Sequence, residues 1–199
     1  MGGLVSVDTC KEQMIYEIHN PKAYLTPDAT ADFSKVTFRQ IGENQVRAEH
    51  ATTHGRPETL KVSVGYKDCF IGEGEISYGG SNCMARAELA AEILEKRIEL
   101  TGIELEEYRT DFIGCNSLYR DAISKEIGSG TPCEVRLHAA GRTKDRKNAV
   151  LLANEVEALY TNGPAGGGGA VKRVSEIVSV CSIFVPRDAV EAKVTLREV

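Results

Sequence analysis

The sequence contains no apolar run approaching the ~18 residues that a membrane helix requires. It opens on Met1-Gly2-Gly3 without the basic and apolar regions of a signal peptide. Both absences point to the cytoplasm. It also has no basic block: 24 Lys and Arg stand against 29 Asp and Glu, for a formal charge of -5. That balance gives no electrostatic reason to bind a nucleic-acid backbone. Cys10, Cys69, Cys83, Cys115, Cys133 and Cys181 are scattered, with no Cys-x-x-Cys pair and no Cys/His cluster. A structural zinc site is thereby excluded, and six reduced thiols are expected, several buried as small hydrophobes. His19, His50, His54 and His138 form no ligand-spaced pair on a helix, so no metal site is assigned. No Gly-x-Ser-x-Gly elbow is present, and no Ser-His-Asp order is visible. The residues name no cofactor.

What remains is an ordinary soluble composition: 199 residues with no Trp, 42% hydrophobic and 27% charged. This suits one α+β domain over residues 1–199, with a possible subdivision into 1–130 and 131–199. Near the N-terminus, Asp8 or Thr9 is expected to cap a short helix, with Glu12 closing a capping box and the helix running to about Ile18. Residues 36–48 read as a hairpin about Gly42-Glu43-Asn44. Two strands follow at residues 60–66 and 70–78, the second interrupted by Gly72 and Gly74, where a bulge or close backbone approach is expected. Residues 82–101 carry Met84, Ala87, Ala91, Leu94 and Ile98 at helical spacing, with Ser81 as the cap and Gly102 as the stop. A strand at 108–114 and a short helix at 118–127, stopped by Gly128-Ser129-Gly130, come next.

A strand at 134–140 precedes a second long helix at 144–160, with Ala149, Leu152, Val156 and Leu159 on one face. Strands at 177–185 and 192–197 complete the pattern. Strand pairs followed by a long helix and another strand thus occur twice, a weak structural repeat without shared residues. The expected architecture is a mixed, mostly antiparallel sheet with the two long helices packed on one face.

Chemistry has few places to sit. Asn162-Gly163-Pro164-Ala165-Gly166-Gly167-Gly168-Gly169 places five glycines in seven positions, followed by Lys172 and Arg173. Unobstructed N–H groups suit a concave nest for a carboxylate or phosphate, with Lys172 near enough to neutralise it. The same segment also reads as a flexible or tightly packed connector. It is not a Walker loop, because the Gly-x-x-x-x-Gly-Lys-Ser/Thr spacing is missing. Arg142, at a strand-to-helix junction, is a second anion-binding candidate, or one of the solvated charges around a helix cap. Glu73 and Glu75 share one face of a strand; Glu73 is an acid/base candidate if buried, and otherwise part of a solvated face. Asp8, Asp28 and Asp32 form an acidic set with no His partner in register, from which Asp8 is a further catalytic candidate. His50 and His54 read as surface residues.

Three stretches taken together are familiar. They are Gly2-Gly3-Leu4-Val5-Ser6-Val7-Asp8-Thr9 with Glu12-Gln13 and Tyr16-Glu17-Ile18; Pro21 with Ala23-Tyr24-Leu25-Thr26-Pro27-Asp28 and Asp32-Phe33; and Glu157-Ala158-Leu159-Tyr160-Thr161-Asn162-Gly163-Pro164 with the glycines after it. They resemble the C-terminal portion of the acyclic terpene utilisation (AtuA-type) family. Residues 60–66 with Gly72-Glu73-Gly74 fit the same pattern, so the resemblance spans nearly the whole chain.

The resemblance implies catabolism of acyclic isoprenoid or related branched acids and acyl-CoA compounds in bacteria. Members usually carry a large α/β portion ahead of the Gly-Gly-x-Val-x-Val-Asp-Thr segment, and here Met1 stands directly before it. A larger α/β partner, as subunit or domain, and a hetero-complex are therefore expected. The leading expectation is a lyase or hydratase subunit acting on a branched organic acid or its CoA thioester. The alternatives are a non-catalytic assembly or substrate-presenting subunit, and an oligomeric module binding a small anion.

Overall fold

The computed structural model describes residues 2–16, 18–127, 130 and 132–198. Glu17 of the resemblance motif, and Gly128 and Ser129 of the expected helix stop, lie outside the described residues. The chain divides into two compact units, Met1–Val64 with Val180–Val199, and Gly65–Ser179. A cut near residue 130 would fall inside the second. Among the described residues no helix is long and apolar enough to cross a membrane.

The first unit begins with helix α1 (Val7–Ile15). Its cap is Ser6, whose hydroxyl accepts from the Thr9 N–H at 3.2 Å while Thr9 Oγ1 accepts from the Ser6 N–H at 2.9 Å. This reciprocal box places Thr9 inside the first turn, so neither Asp8 nor Thr9 is the cap, and Glu12 is not needed to close it. The helix stops before the expected Ile18. Strands β1 (Tyr24–Leu25) and β2 (Thr30–Asp32) follow. The expected hairpin is present as β3 (Thr37–Gly42) and β4 (Gln45–Glu49), with Asn44 at φ 52 in the turn. Strand β5 (Thr52–Thr53) closes a small antiparallel sheet in the order β1-β2-β5. Residues 190–198 carry no regular structure, so the strand expected at 192–197 does not form.

Strand β6 (Thr59–Gly79) merges the two strands expected at 60–66 and 70–78. The linking Lys67-Asp68-Cys69 has no Gly or Pro to break the strand, and both charges find partners along it: Lys67 pairs with Glu176 at 2.9 Å and Asp68 with Arg142 at 2.8 Å. The second unit continues with α2 (Cys83–Thr101), β7 (Glu107–Ile113), α3 (Arg120–Ile127), β8 (Glu134–Thr143), α4 (Arg146–Asn162) and β9 (Gly167–Pro186). Gly102 ends α2 at φ 66, its N–H donating to the Ile98 and Glu99 carbonyls. At the other end the cap position is Asn82 rather than Ser81, because the Ser81 carbonyl is held by Arg86 at 3.1 Å.

The four strands lie in the order β7-β8-β6-β9. β8 is antiparallel to both β6 and β7. β9 runs opposite to β6, since Lys67 meets Glu176, Glu73 meets Arg173 and Gly167 abuts Tyr78. Each strand-helix-strand half, β6-α2-β7 and β8-α4-β9, therefore has one strand of the other half inserted between its own two. This split β-α-β arrangement is the physical content of the weak repeat.

Both long helices lie on one face of the sheet. Ile76, Tyr78, Val135, Leu137 and Ala139 alternate onto that face and pack with Ala87 and Leu94 of α2 and with Val156 and Leu159 of α4. The glycines in β6 mark a close approach rather than a bulge. A Cβ on Gly72 would overlap the Ala149 carbonyl, and one on Gly74 would lie 2.6 Å from Val156 Cβ. With Gly141, where a Cβ would meet Leu152 at 2.5 Å, they let α4 settle onto the sheet.

Candidate functional site

Three glycines of the segment, Gly163, Gly166 and Gly167, lie hard against their neighbours. Asn162 is the last residue of α4, and Gly163 follows so closely that a Cβ would meet the Leu159 carbonyl at 2.5 Å. Gly166 sits at φ +77, where a Cβ would meet the Arg86 guanidinium at 2.6 Å. Gly167, Gly168 and Gly169 already belong to β9, and Gly167 is pressed against the Ile76 and Tyr78 side chains. The atoms addressed by side chains here are carbonyls, not N–H groups. Arg86 donates to the carbonyls of Gly79, Ser81 and, at 2.8 Å, Ala165; Arg136 donates to Gly169 at 3.2 Å. Cations facing carbonyls are the opposite polarity to an anion nest. Beside the segment lies a depression of about 550 Å³ lined by Asn154, Glu157, Tyr160, Thr161, Gly169 and Ala170. Lys172 stands over α4 there, paired with Glu157 and bonded to Asn154 Oδ1 at 2.9 Å.

Arg142 is elsewhere. It pairs in register with Ile71, whereas Gly167 abuts Tyr78, seven residues further along β6. At ~3.3 Å per residue the sheet keeps Arg142 and the glycine segment about 20 Å apart. Arg142 donates to Asp68 at 2.8 Å and Glu106 at 3.0 Å, and Lys144 joins the same Asp68 at 3.1 Å. Asp68 is held below the ordinary carboxylate range, first by the Ser179 hydroxyl and then by Lys144 and Arg142.

Alternation along β8 leaves Arg136, His138, Ala140 and Arg142 on the sheet face away from α2 and α4. The register sets Asp111 of β7 beside His138, and Arg109 of β7 and Glu73 of β6 on either side of Ala140. Here Glu73 has two partners. Its Oε2 lies 3.5 Å from His138 Nε2, and its Oε1 pairs with Arg173. The other imidazole nitrogen, Nδ1, lies 4.0 Å from Asp111 Oδ2, and Asp111 is bound by Arg109 at 2.6 Å. The side chains of His138, Glu73 and Asp111 are only 24%, 19% and 13% exposed. An imidazole set between two carboxylates has a possible proton partner at each ring nitrogen, and loose contacts of this kind can tighten around a ligand. Ala140, the smallest side chain on the face, leaves a floor between Glu73 and Arg109.

Glu75 lies on the same face as Glu73 and pairs with Arg136, which also bonds Ser77 at 2.8 Å. Asp8 lies in the first unit on α1, 95% exposed, with Lys11 at 4.0 Å. Asp32 does have a histidine partner: His54 Nε2 is 3.1 Å from its Oδ2, while Ser34 donates to Oδ1 through both hydroxyl and N–H. Those bonds from Ser34, with His54 adding to them, hold the Asp32 pKa down at about 2. Among the described residues no group of three or more His, Cys, Asp or Glu is placed to hold a metal ion.

Sequence reading missed His138, Asp111 and Arg109. The signal was available in the strict alternation of Val135, Leu137 and Ala139 with Arg136, His138 and Ala140, which sends charge and imidazole to one face. Pairing that face with Glu73 required the strand order, which local spacing does not contain.

No curated protein and no solved structure matches the chain. A family model does, that of acyclic terpene utilisation family protein AtuA, over residues 1–196. The long β6 with its glycines, the open charged face and the glycine turn all fall within that match, and the chain belongs to the acyclic terpene utilisation family.

Proposed function

We propose that the open face of the four-stranded sheet is an acid–base surface, and that the chain is a subunit or C-terminal domain of a catabolic lyase or hydratase. Its substrate is a branched unsaturated acid or the CoA thioester of one. The observation that carries this reading is His138 between Glu73 and Asp111, half-sheltered beside the Ala140 floor. In the hydration direction, a water seated there gives a proton to the His138–Glu73 pair as its oxygen bonds the β-carbon. The carbon–carbon π bond breaks, and its electron pair takes a proton back from the same His138–Glu73 pair at the α-carbon, which leaves the pair as it began. The reverse step is elimination of water. Family membership supports the substrate class, and Arg142, near the same face, supports an anionic group on it.

A larger α/β partner belongs to the proposal. Its support is the first unit, where Leu4, Ile15, Tyr16, Tyr24 and Ile41 stand exposed. The test is turnover of branched unsaturated acids and their CoA thioesters by the chain with the proteins that co-purify from its host. Glu73→Gln is expected to lower turnover by ~100-fold with the circular dichroism unchanged. Unaltered turnover overturns the reading.

A second reading, a non-catalytic assembly subunit, is favoured by one observation. Three carboxylates of the central face already have an arginine: Glu73 with Arg173, Glu75 with Arg136, and Asp111 with Arg109. A complex that forms and turns over normally with Glu73→Gln would favour it.

A further inference from the structure

Next to the Ala140 floor, towards the Arg142 end of the sheet, the second unit holds a depression of about 460 Å³. Its walls include Arg109 from β7, Arg120 from the start of α3 and Arg142 from β8, over Ile71 and Ala140. Three arginines from three elements thus line one small volume. They are not equally committed. Arg109 spends Nε and Nη2 on Asp111, and Arg142 spends Nε on Glu106 and Nη2 on Asp68. Each leaves its Nη1 group without an acceptor among the described residues. Arg120 has no ion pair at all among the described residues, and the lining carries a single carboxylate, Glu107.

The placement of Arg120 is built rather than incidental. Its backbone is held at φ 55, a left-handed conformation that a long side chain seldom adopts. Asn116 fixes it from both sides: its side-chain carbonyl accepts from the Phe112 N–H of β7 at 2.8 Å, and its amide donates to Asp121 of α3 at 2.7 Å. The Arg120 N–H itself donates to the Asn116 carbonyl at 2.9 Å. One asparagine thus ties the first turn of α3 to β7, beside the depression.

We propose that this depression is an anion site that holds a carboxylate or phosphate oxygen group, with Arg120 as its main ligand and the free Nη1 groups of Arg109 and Arg142 as supporting donors. Planar, forked guanidinium donors match the oxygen pairs of either group. The inference rests on the acid–base reading and deepens it. An anionic group seated here sets the rest of a substrate along Ala140 towards His138 and Glu73. Ile71 supplies an apolar contact for the adjoining carbon chain.

The experiment titrates the full chain with succinate, inorganic phosphate and coenzyme A separately, following arginine side-chain signals by NMR. Saturable shifts of the Arg120, Arg109 and Arg142 signals are expected with at least one probe. Arg120→Gly relieves the backbone strain and should keep the fold, yet weaken binding about tenfold, as loss of a charge-assisted bond does. Arg120→Lys should restore part of it. Response to succinate alone identifies a carboxylate site; response to phosphate and coenzyme A alone identifies a phosphate site. No saturation with any probe, or equal binding by Arg120→Gly and wild type, overturns the proposal. Binding is read without turnover, so its absence strikes only the anion site, whereas a bound anion with no turnover strikes only the acid–base reading.

Discussion

The two units of the chain are built to different standards. Every buried hydrophobic residue, from Cys69 to Leu159, belongs to the unit Gly65–Ser179, and the other unit has none among its described residues. One has two helices seated on a sheet through Gly72, Gly74 and Gly141. The other rests on a capping box, a hairpin, a three-stranded sheet of very short strands and polar ties such as Asp32 with Ser34 and His54. A sheet fully packed on one face can carry a charged, half-sheltered opposite face, because the core fixes where each strand lies. That is where fixed chemistry is to be expected. The lightly packed unit, with apolar side chains left in water, is suited to being completed by another surface.

The difference can be broken or sharpened by substitution. Truncating the sheet core, Leu137→Ala, should cost about 3 kcal/mol in urea unfolding. Ile41→Ala in the other unit, where the side chain is 48% exposed, should cost less than ~0.5 kcal/mol. Equal costs would break the comparison. Gly74→Ala should cost about 2 kcal/mol, because the added Cβ lies 2.6 Å from Val156 Cβ and neither strand nor helix can yield.

Smaller effects belong to the lighter unit. Ser6→Ala removes the acceptor for the Thr9 N–H and should cost about 1 kcal/mol, visible as faster amide exchange in α1 with the sheet unit unaffected. Asp32 gives the mildest test. Its folded pKa of about 2 lies below the ordinary 3.8, so its contribution is complete above that ordinary value and is lost as pH falls towards 2. The amide signal of Ser34 should respond over that window in wild type, and Asp32→Asn should remove the dependence.

How much of this was legible follows the same division. The long helices, the hairpin about Gly42-Glu43-Asn44 and the antiparallel α+β class came from periodicity and turn residues, because packing in the sheet unit agrees with local preference. The meaning of Gly72 and Gly74 was half legible: close approach was expected, but α4 as the neighbour was not. The glycine run left two readings open for a physical reason. A bare backbone serves a ligand or a tightly packed neighbour equally well, and the Arg86 guanidinium and the Tyr78 ring that lie against it come from distant parts of the chain. The start of α1 was misplaced because Ser6 and Thr9 cap one another, leaving Asp8 in solvent. Asp32 seemed to have no histidine because His54 reaches it through the pairing of β2 with β5, 22 positions along the chain. His138 was overlooked because local alternation gives only the face it lies on; strand order is what brings it to Glu73 and Asp111.

The central claim is that the His138–Glu73 pair moves a proton at a carbon next to a carbonyl or carboxylate. The most direct measurement is exchange of that substrate hydrogen with deuterated solvent, catalysed by the chain with its co-purifying partners and compared with His138→Gln. The account predicts exchange in wild type and a loss of ~100-fold or more in the variant, with the complex still assembled. Exchange at the wild-type rate in His138→Gln would contradict it.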